Sequence, residues 1–315
     1  MIIAISGANG MVGTRLVQRH LERGDIVRVL ARRAIATLPA SVRIFMVDLA
    51  SGADVPDGFT DGADILYHCA AEVRDPARMA AVNVGGTRKL IAAARNRIGR
   101  WVQLGSIAVY GAPASGTITE ESPLCPADVY GRSKAEADHL VIKAAEQDAF
   151  SCAVLRPAKI FGAGARGESN EILQRLISFV DKGLFFFIGK PGALTHYVHV
   201  DCVVDALVRC GSAAAARSAV YNLSDDCAIE DFIAVIADAL GKPAPRLRLS
   251  ETLARTLAAI CGWVPGFPLT AQRVAALVNR AAFPCGRIAR ELDYSHPVRV
   301  QQGLRELVES WKRRA

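Results

Sequence analysis

A tyrosine and a lysine four residues apart could perform acid–base chemistry in this sequence. Tyr130 and Lys134 lie in a stretch with helical spacing, so both side chains are expected on one face of a helix. Free tyrosine has a pKa of about 10 and is a poor base at neutral pH, but a nearby ammonium group stabilises the phenolate and lowers that pKa. Proton exchange with a substrate hydroxyl or carbonyl then becomes feasible. The pair alone is weak evidence, because Tyr-x-x-x-Lys also occurs as an ordinary pair on helix surfaces.

Ser106 adds a hydroxyl group at the end of a predicted strand, in the segment Gly105-Ser106-Ile107. In open parallel sheets, ligands bind beyond the carboxyl ends of the strands. The serine is therefore placed to donate a hydrogen bond to the reacting oxygen of a substrate. Its alternative role is that of a helix or turn cap.

Glycines three residues apart follow the first predicted strand and precede the first predicted helix. Glycine permits a tight turn and lets backbone amides approach a pyrophosphate, and the N-terminus of the helix adds free N–H groups and partial positive charge. A structural turn would use the same residue types, but the position at a strand–helix junction favours a dinucleotide site. The residues predicted to form it are Gly7, Asn9, Gly10, Met11, Val12 and Gly13.

The end of the second predicted strand indicates which nicotinamide cofactor is used. An acidic residue there would bind the adenosine ribose and favour NAD. The sequence has Arg32 and Arg33 instead, with no carboxylate until Asp48. A guanidinium can hold a 2′-phosphate with two hydrogen bonds, so NADP(H) is favoured and NAD remains possible. The alternative is that both arginines are only surface residues.

The elements that must position these residues alternate along the first half of the chain. Short apolar strands are predicted at 2–6, 26–30, 42–47, 65–68, 101–105 and 152–156, and amphipathic helices at 12–23, 77–97 and 129–148. This alternation predicts an α/β fold with a doubly wound parallel sheet, the Rossmann arrangement. The predicted domains are a dinucleotide-binding domain at 1–160, to which 200–225 returns, and a smaller, mainly helical substrate lobe at 161–315.

Composition limits the classes of protein that fit. The 315 residues are 51% hydrophobic and carry a net charge of +7, which excludes disorder. The basic residues are scattered and only 6% of residues are aromatic, so no nucleic-acid partner is predicted. No apolar run is long enough for a membrane span, and no basic leader precedes the first strand. The eight cysteines form no C-x-x-C pair and no metal-like group with histidine, so a reduced, cytoplasmic protein without a metal is expected.

Together these residues resemble a known family, the extended short-chain dehydrogenases/reductases, and within it the nucleotide-sugar epimerase/dehydratase group. The resemblance covers nearly the whole chain. Beyond the glycine turn, Ser106 and the Tyr130/Lys134 pair, it rests on Asp48-Leu49, His68-Cys69-Ala70-Ala71, Asn83-Val84-Gly85-Gly86-Thr87, Leu155-Arg156-Pro157 with Ile160-Phe161-Gly162, His199-Val200-Asp201 and Glu291-Leu292-Asp293-Tyr294.

The resemblance implies a role for each matched position. Tyr130 acts as general acid/base, Lys134 tunes it and holds the nicotinamide ribose, and Ser106 orients the substrate oxygen while hydride moves between nicotinamide C4 and the carbinol carbon. The resemblance also implies a homodimer. The further residues that it assigns to the cofactor are Asp48, Leu49, Ala70, Ala71, Asn83, Pro157 and Ile160.

Two features depart from the nucleotide-sugar pattern. Ala158-Lys159 stand where those members usually carry an Asn that helps to bind the sugar-nucleotide pyrophosphate. Cys202 stands where the family often has a second acidic or Asn residue after Asp201. Separately, Arg32-Arg33 and the segment 185–189 are more similar to the branch with hydroxysteroid dehydrogenases and dihydroflavonol reductases. The predicted function is NADP(H)-dependent reduction of a ketone on a small molecule, with a 4-keto nucleotide sugar favoured. The alternatives are a nucleotide-sugar epimerase and a non-catalytic NADP(H) sensor, against which the intact Ser106, Tyr130 and Lys134 argue.

Overall fold

The structure, a computed structural model, describes residues 1–147, 149–163, 168–212, 218–261 and 269–314. The strands are β1 (Ile2–Ser6), β2 (Ile26–Ala31), β3 (Arg43–Met46), β4 (Ala63–His68), β5 (Ile98–Leu104), β6 (Ser115–Thr117), β7 (Ser151–Pro157), β8 (Lys159–Phe161), β9 (Phe187–Ile188), β10 (Leu194–Thr195), β11 (Tyr197–His199), β12 (Ser218–Leu223), β13 (Cys227–Ala228), β14 (Arg248–Leu249) and β15 (Arg280–Ala282). The helices are α1 (Met11–Glu22), α2 (Pro76–Met79), α3 (Gly86–Ala94), α4 (Val129–Glu146), α5 (Glu168–Asp181), α6 (Val200–Ser212), α7 (Ile229–Leu240), α8 (Glu251–Cys261), α9 (Ala271–Leu277), α10 (Gly286–Leu292) and α11 (Val300–Lys312).

Seven parallel strands form the central sheet, in the order β12-β7-β5-β4-β1-β2-β3. Because all strands are parallel, their carboxyl ends lie along one edge. The strand order reverses between β1 and β4, which creates a crevice at that edge where ligands bind in such sheets. The predicted fold class, a doubly wound parallel sheet, is confirmed.

Helices cover both faces of this sheet because side chains alternate along each strand. Ile3 and Ile5 on β1 face one core, which α1 and α6 complete, while Ala4 faces a second core with α3 and α4. The strands are therefore buried on both sides, as their continuous apolar sequences predict. This rigid sheet holds the residues at its carboxyl edge.

The predicted helix at 77–97 is interrupted in the structure. A π-helical turn (Ala80–Gly85) separates α2 from α3. Asn83 is buried in this turn, and its side chain forms tertiary hydrogen bonds. At the start of α3, a Cβ atom on Gly86 would lie 2.8 Å from Cβ of Leu49. Helical periodicity cannot predict this interruption, because it coincides with contacts to residues that are distant in the sequence. π-Helical turns of this kind are frequent at functional sites.

Beyond β8 the chain forms mainly helices and two-stranded pairs. Helices α5, α7 and α11 share an apolar core around Phe232 and Leu304. Strand β12 instead pairs with β7 and forms one edge of the central sheet. The division into two domains at about residue 160 stays a prediction. None of the helices in the described part of the chain combines the length and apolar character that a membrane span requires.

Candidate active site

The glycine turn between β1 and α1 is so tight that only glycine fits at its two outer positions. Gly7 has a φ of +76°, and a Cβ atom there would lie 2.6 Å from the backbone nitrogen of Ala70. A Cβ atom on Gly13 would lie 2.1 Å from the carbonyl oxygen of Gly7. Gly10 is the N-cap of α1, and no side chain caps this helix end. The amides at the start of α1 are therefore available to an anionic group.

The centre of the same turn leaves space for a ligand. A Cβ atom on Gly10 would meet only the carbonyl oxygen of Gly7, at 3.3 Å. Asn9 is exposed beside it, Met11 is half-buried, and Val12 is buried against the sheet. Asn9 and Gly10 thus form the open side of a cradle whose shape and amide donors fit the pyrophosphate of a dinucleotide.

Arg32 and Arg33 follow β2 directly and are both exposed. Within the described ranges, neither guanidinium forms an ion pair with a carboxylate. Arg32 contributes to lowering the pKa of Glu72, after the backbone N–H groups of 73–75 that its carboxylate accepts. Glu72 lies in the loop after β4 and was not predicted from the sequence. Both arginines are thus exposed at the carboxyl end of β2.

Asp48 lies beyond β3 at the same edge of the sheet. One carboxylate oxygen accepts the N–H of Ala50 at 3.0 Å, and the other lies 3.2 Å from a guanidinium nitrogen of Arg78. Leu49 is buried beside Gly86. Asp48 is thus half-exposed and held in place at both carboxylate oxygens.

His68 fixes the end of β4 beside the glycine turn. Its two ring nitrogens bond with Ser6 Oγ at 2.6 Å and with Thr87 Oγ1 at 3.0 Å. Burial lowers the pKa of His68 to about 3, so the ring is neutral at physiological pH. Ala70 and Ala71 follow it and are half-buried, with Ala70 in contact range of Gly7.

Asn83, which is predicted as a cofactor ligand, is buried in the π-helical turn. Its amide nitrogen donates to the carbonyl oxygen of Glu72 at 3.0 Å and to Ser133 Oγ at 2.9 Å, while its amide oxygen accepts the N–H of Glu72 at 2.7 Å. Ser133 in turn donates to the carbonyl oxygen of Tyr130 at 2.8 Å. Asn83 therefore anchors the first turn of α4 to the loop after β4.

Tyr130 and Lys134 lie on α4, which begins where Asp128 caps it by accepting the N–H of Gly131 at 2.7 Å. Tyr130 is half-buried. Lys134 is only 3% exposed, and its Nζ donates to the carbonyl oxygen of Leu104 at the end of β5. Burial lowers the pKa of Lys134. The helix thus places an ammonium group one turn from the tyrosine, within the interior of the protein.

Ser106 lies two residues beyond β5 and begins a 3₁₀ turn (Ile107–Tyr110). Its Oγ accepts the N–H of Ala108 at 3.2 Å, so the capping role considered for it is present. That bond uses a lone pair of the hydroxyl and leaves its proton free to donate. Since Lys134 is tied to the end of β5, Ser106 lies at the sheet edge to which the lysine is anchored.

Pro157 and Ile160 lie at the carboxyl end of β7, which is the neighbour of β5 in the sheet, and just beyond it. Pro157 is the buried last residue of β7, and Ile160 is half-buried in β8, which pairs with β11. Between them, the Lys159 ammonium lies 5.5 Å from the centre of the Tyr197 ring. Lys159 therefore has an aromatic partner on β11.

A buried polar network next to Lys134 was missed by the sequence reasoning. Arg156 donates to Asp138 Oδ2 at 3.0 Å and to the Tyr110 hydroxyl at 2.9 Å, and Tyr110 donates to Asn222 Oδ1 at 2.9 Å. Asp138 follows Lys134 by four residues, so the spacing that pairs Lys134 with Tyr130 also predicts Asp138 on that face. The contacts with β7 and β12 carry no comparable signal.

A parallel sheet with a glycine turn at its switch point and a tyrosine–lysine helix at the same edge defines an oxidoreductase that uses a dinucleotide. The chain belongs to the NAD dependent epimerase/dehydratase family, whose family model matches residues 3–224. The protein is therefore an enzyme of the extended short-chain dehydrogenase/reductase type.

Two relatives and a solved structure illustrate the range of this family. Short-chain dehydrogenase/reductase family 42E member 1 from Macaca fascicularis is 29% identical over 282 residues, covering 80% of this chain and 70% of that protein. A 3 beta-hydroxysteroid dehydrogenase/Delta 5-->4-isomerase from Mycobacterium tuberculosis is 27% identical over 335 residues, covering 96% and 88%. The structure of UDP-glucuronic acid 4-epimerase from Bacillus cereus in complex with NAD has a TM-score of 0.74 at 18% identity over 99% of both chains, so the fold is shared.

Proposed function

We propose that this protein catalyses the NADP(H)-dependent reduction of a ketone on a small molecule, with a 4-keto nucleotide sugar as the favoured substrate. The observation that carries the proposal is the placement of Tyr130 one helical turn from a buried Lys134, with Lys134 anchored at the end of the strand that leads to Ser106. A reduced nicotinamide, when bound, supplies the hydride that the carbonyl carbon accepts.

The chain's own residues handle the proton and the alignment. The Ser106 hydroxyl donates a hydrogen bond to the carbonyl oxygen, because its oxygen already accepts from Ala108. The Tyr130 hydroxyl gives its proton to that oxygen as the carbonyl becomes an alcohol. The Lys134 ammonium stabilises the phenolate that is left, and this stabilisation is strong because the lysine is buried.

NADP rather than NAD is proposed on the basis of two exposed guanidinium groups. Arg32 and Arg33 follow β2, where an acid would be needed to bind a free ribose. The cradle of Gly7, Gly10 and Gly13 would hold the pyrophosphate at the start of α1. The solved relatives reported with NAD show that the fold also accepts the nucleotide without the 2′-phosphate.

The nucleotide-sugar class is supported by the fold that this chain shares with the UDP-glucuronic acid 4-epimerase from Bacillus cereus. A second candidate substrate is a hydrophobic ring ketone or alcohol, which is favoured by the similarity to a 3 beta-hydroxysteroid dehydrogenase over 96% of this chain.

The test is to supply NADPH deuterated at C4 with a panel of 4-keto nucleotide sugars and fused-ring ketones, and to locate the label by mass spectrometry and NMR. Deuterium on the product carbinol carbon, with one NADP⁺ formed per turnover, supports the reductase. The substrate that is labelled identifies the class. Tyr130→Phe serves as the inactive control.

Two other outcomes would replace the proposal. Interconversion of two sugar epimers without net consumption of NADPH would establish the epimerase. Tight NADPH binding without turnover of any member of the panel would favour the sensor. The protein is expected to purify largely free of nucleotide, because a reductase exchanges its cofactor with the cellular pool.

We also propose a cytoplasmic homodimer. The cysteines whose side chains the structure describes are all free, which supports a reducing compartment. The dimer follows from the resemblance to the family alone. Light scattering after size exclusion tests it, and a monomer mass would refute it.

A further inference from the structure

Asp138 lies one helical turn beyond Lys134 on α4, and both side chains are buried. Asp138 is 1% exposed and Lys134 is 3% exposed. Arg156 holds one carboxylate oxygen, Oδ2, at 3.0 Å. The other oxygen, Oδ1, is buried and has no hydrogen-bond partner in the described part of the chain. The carboxylate is thus fixed from the β7 side, and its second oxygen remains unsatisfied inside the protein.

The groups that face Lys134 come from β4, β5, α4 and β7. On β4 and just beyond it, burial lowers the pKa of His68 to about 3 and raises that of Cys69 to about 12, so both are neutral at pH 7. On β5 the lysine donates to the carbonyl oxygen of Leu104. On α4 and β7 it faces Asp138 and, behind it, Arg156.

Asp138 is therefore the acid that acts on Lys134 among the described residues. Burial lowers the pKa of Lys134, and the charge of Asp138 is the largest effect that opposes it. Lys134 donates to Leu104 rather than to Asp138, so the carboxylate acts across the protein interior, where charges interact strongly. Burial raises the pKa of Asp138, and the positive charges of Arg156 and Lys134 oppose that rise. With Asp138 ionised, the three groups carry a net charge of +1, which would stabilise a phenolate at Tyr130.

We propose that Asp138 is a positioning residue that keeps Lys134 protonated, and that Arg156 holds the Asp138 carboxylate in place for this role. The importance of a protonated Lys134 for catalysis rests on the proposed function. The effect of Asp138 on the protonation of Lys134 does not, because it is a property of the folded chain.

The network continues from Arg156 toward the loop after β6. Arg156 donates to the Tyr110 hydroxyl, Tyr110 donates to Asn222 Oδ1, and the N–H of Asn222 donates to Glu120 Oε1 at 2.8 Å. The Tyr110 hydroxyl accepts from Arg156 and donates to Asn222, so Asp138 and Tyr110 together fix the orientation of Arg156. The Asp138 carboxylate consequently cannot rotate away from Arg156 without breaking this series of hydrogen bonds.

The experiment measures the titration of Lys134 directly, with no substrate or cofactor. Protein labelled with ¹³C at lysine Cε is titrated by NMR, and the Lys134 signal is identified by its loss in Lys134→Arg. In Asp138→Asn the midpoint of this titration should fall by about one pH unit or more, because a nearby opposite charge is removed. Glu136→Gln is the matched control, since Glu136 is an exposed carboxylate on α4 that pairs with Arg88.

An unchanged midpoint in folded Asp138→Asn would overturn the proposal, even if the variant melts at a lower temperature. Asp138→Asn leaves Arg156 buried without its acid and can fail to fold, so the double variant Asp138→Asn/Arg156→Gln provides a second test. It removes both charges of the pair. The charge of Asp138, but not that of Arg156, is among the causes that shift the pKa of Lys134, so Lys134 should still titrate at lower pH than in the unchanged protein. An unaltered midpoint there also refutes the role.

Activity gives a separate readout. Once a substrate is known, the alkaline limit of kcat in Asp138→Asn should move to lower pH with the Lys134 midpoint, while KM for the substrate changes little. If no ketone is reduced, the proposed function fails but the NMR result still decides the role of Asp138. If the NMR midpoint moves and the alkaline limit does not, the link between Asp138 and catalysis is wrong.

Discussion

Alanine substitutions at Gly13 and Gly10 should affect different properties: Gly13→Ala should lower the thermal stability, and Gly10→Ala should weaken cofactor binding. A Cβ atom on Gly13 would lie 2.1 Å from a backbone oxygen, so the turn must move to accept Gly13→Ala. Forced overpacking of this kind costs about 1–3 kcal/mol. Since roughly 2–4 °C of Tm is lost per kcal/mol in proteins of somewhat smaller size, we expect a drop of several degrees.

Gly10→Ala should weaken NADPH binding with little effect on the melting temperature. The added Cβ would meet a single atom at 3.3 Å, and the φ of −82° suits alanine, so the melting temperature should change little. The methyl group would enter the open side of the cradle, where the pyrophosphate needs the amides of α1. Loss of one hydrogen bond to a charged group costs about 1.5–3 kcal/mol, which corresponds to roughly 10- to 150-fold weaker NADPH binding.

Differential scanning fluorimetry and NADPH fluorescence titration measure the two effects. Gly24→Ala is the control, because Gly24 has a φ of +75° with no atom within 4 Å of its Cβ position and lies at the far end of α1. Strain there should lower Tm while NADPH affinity stays the same. Unchanged affinity in folded Gly10→Ala protein would refute the assignment of the cradle to the pyrophosphate.

Three further changes test the rest of the site. Tyr130→Phe should lower turnover by about 10²- to 10⁴-fold in a steady-state assay and leave NADPH affinity intact; near-normal turnover would remove Tyr130 from the chemistry. Replacing Arg32 and Arg33 with Ala should abolish most of the preference for NADPH over NADH in titrations, and the preference should shrink with added salt; equal affinities in the unchanged protein would contradict it. His68 becomes protonated below about pH 6.5 in the unfolded chain but only below about pH 3 in the folded protein. The free energy of unfolding is therefore unaffected by His68 above pH 6.5 and decreases as the pH falls from 6.5 to 3. His68→Gln should lessen that decline in urea unfolding at a series of pH values, and an identical decline would argue against the burial of a neutral ring.

The fold and the outline of the site could be predicted from the sequence because both depend on short-range patterns. Continuous apolar strands alternating with amphipathic helices specify a covered parallel sheet. Its parallel strands bring their carboxyl ends together, so Gly7, Arg32 and Ser106 had to lie at one edge. The i,i+4 spacing likewise determines that Tyr130 and Lys134 share a face of α4.

Tertiary structure alone decided how the polar side chains of this edge are used. Asn83 matched a cofactor motif, yet its amide is bonded to Glu72 and Ser133, which lie 11 and 50 residues away. Asp138 finds its guanidinium on β7, 18 residues further along the chain. Such partners are set by the packing of strands and helices against one another. Sequence periodicity reports which face of an element is buried, whereas hydrogen bonding and charge inside the protein depend on which groups the fold brings within about 3 Å.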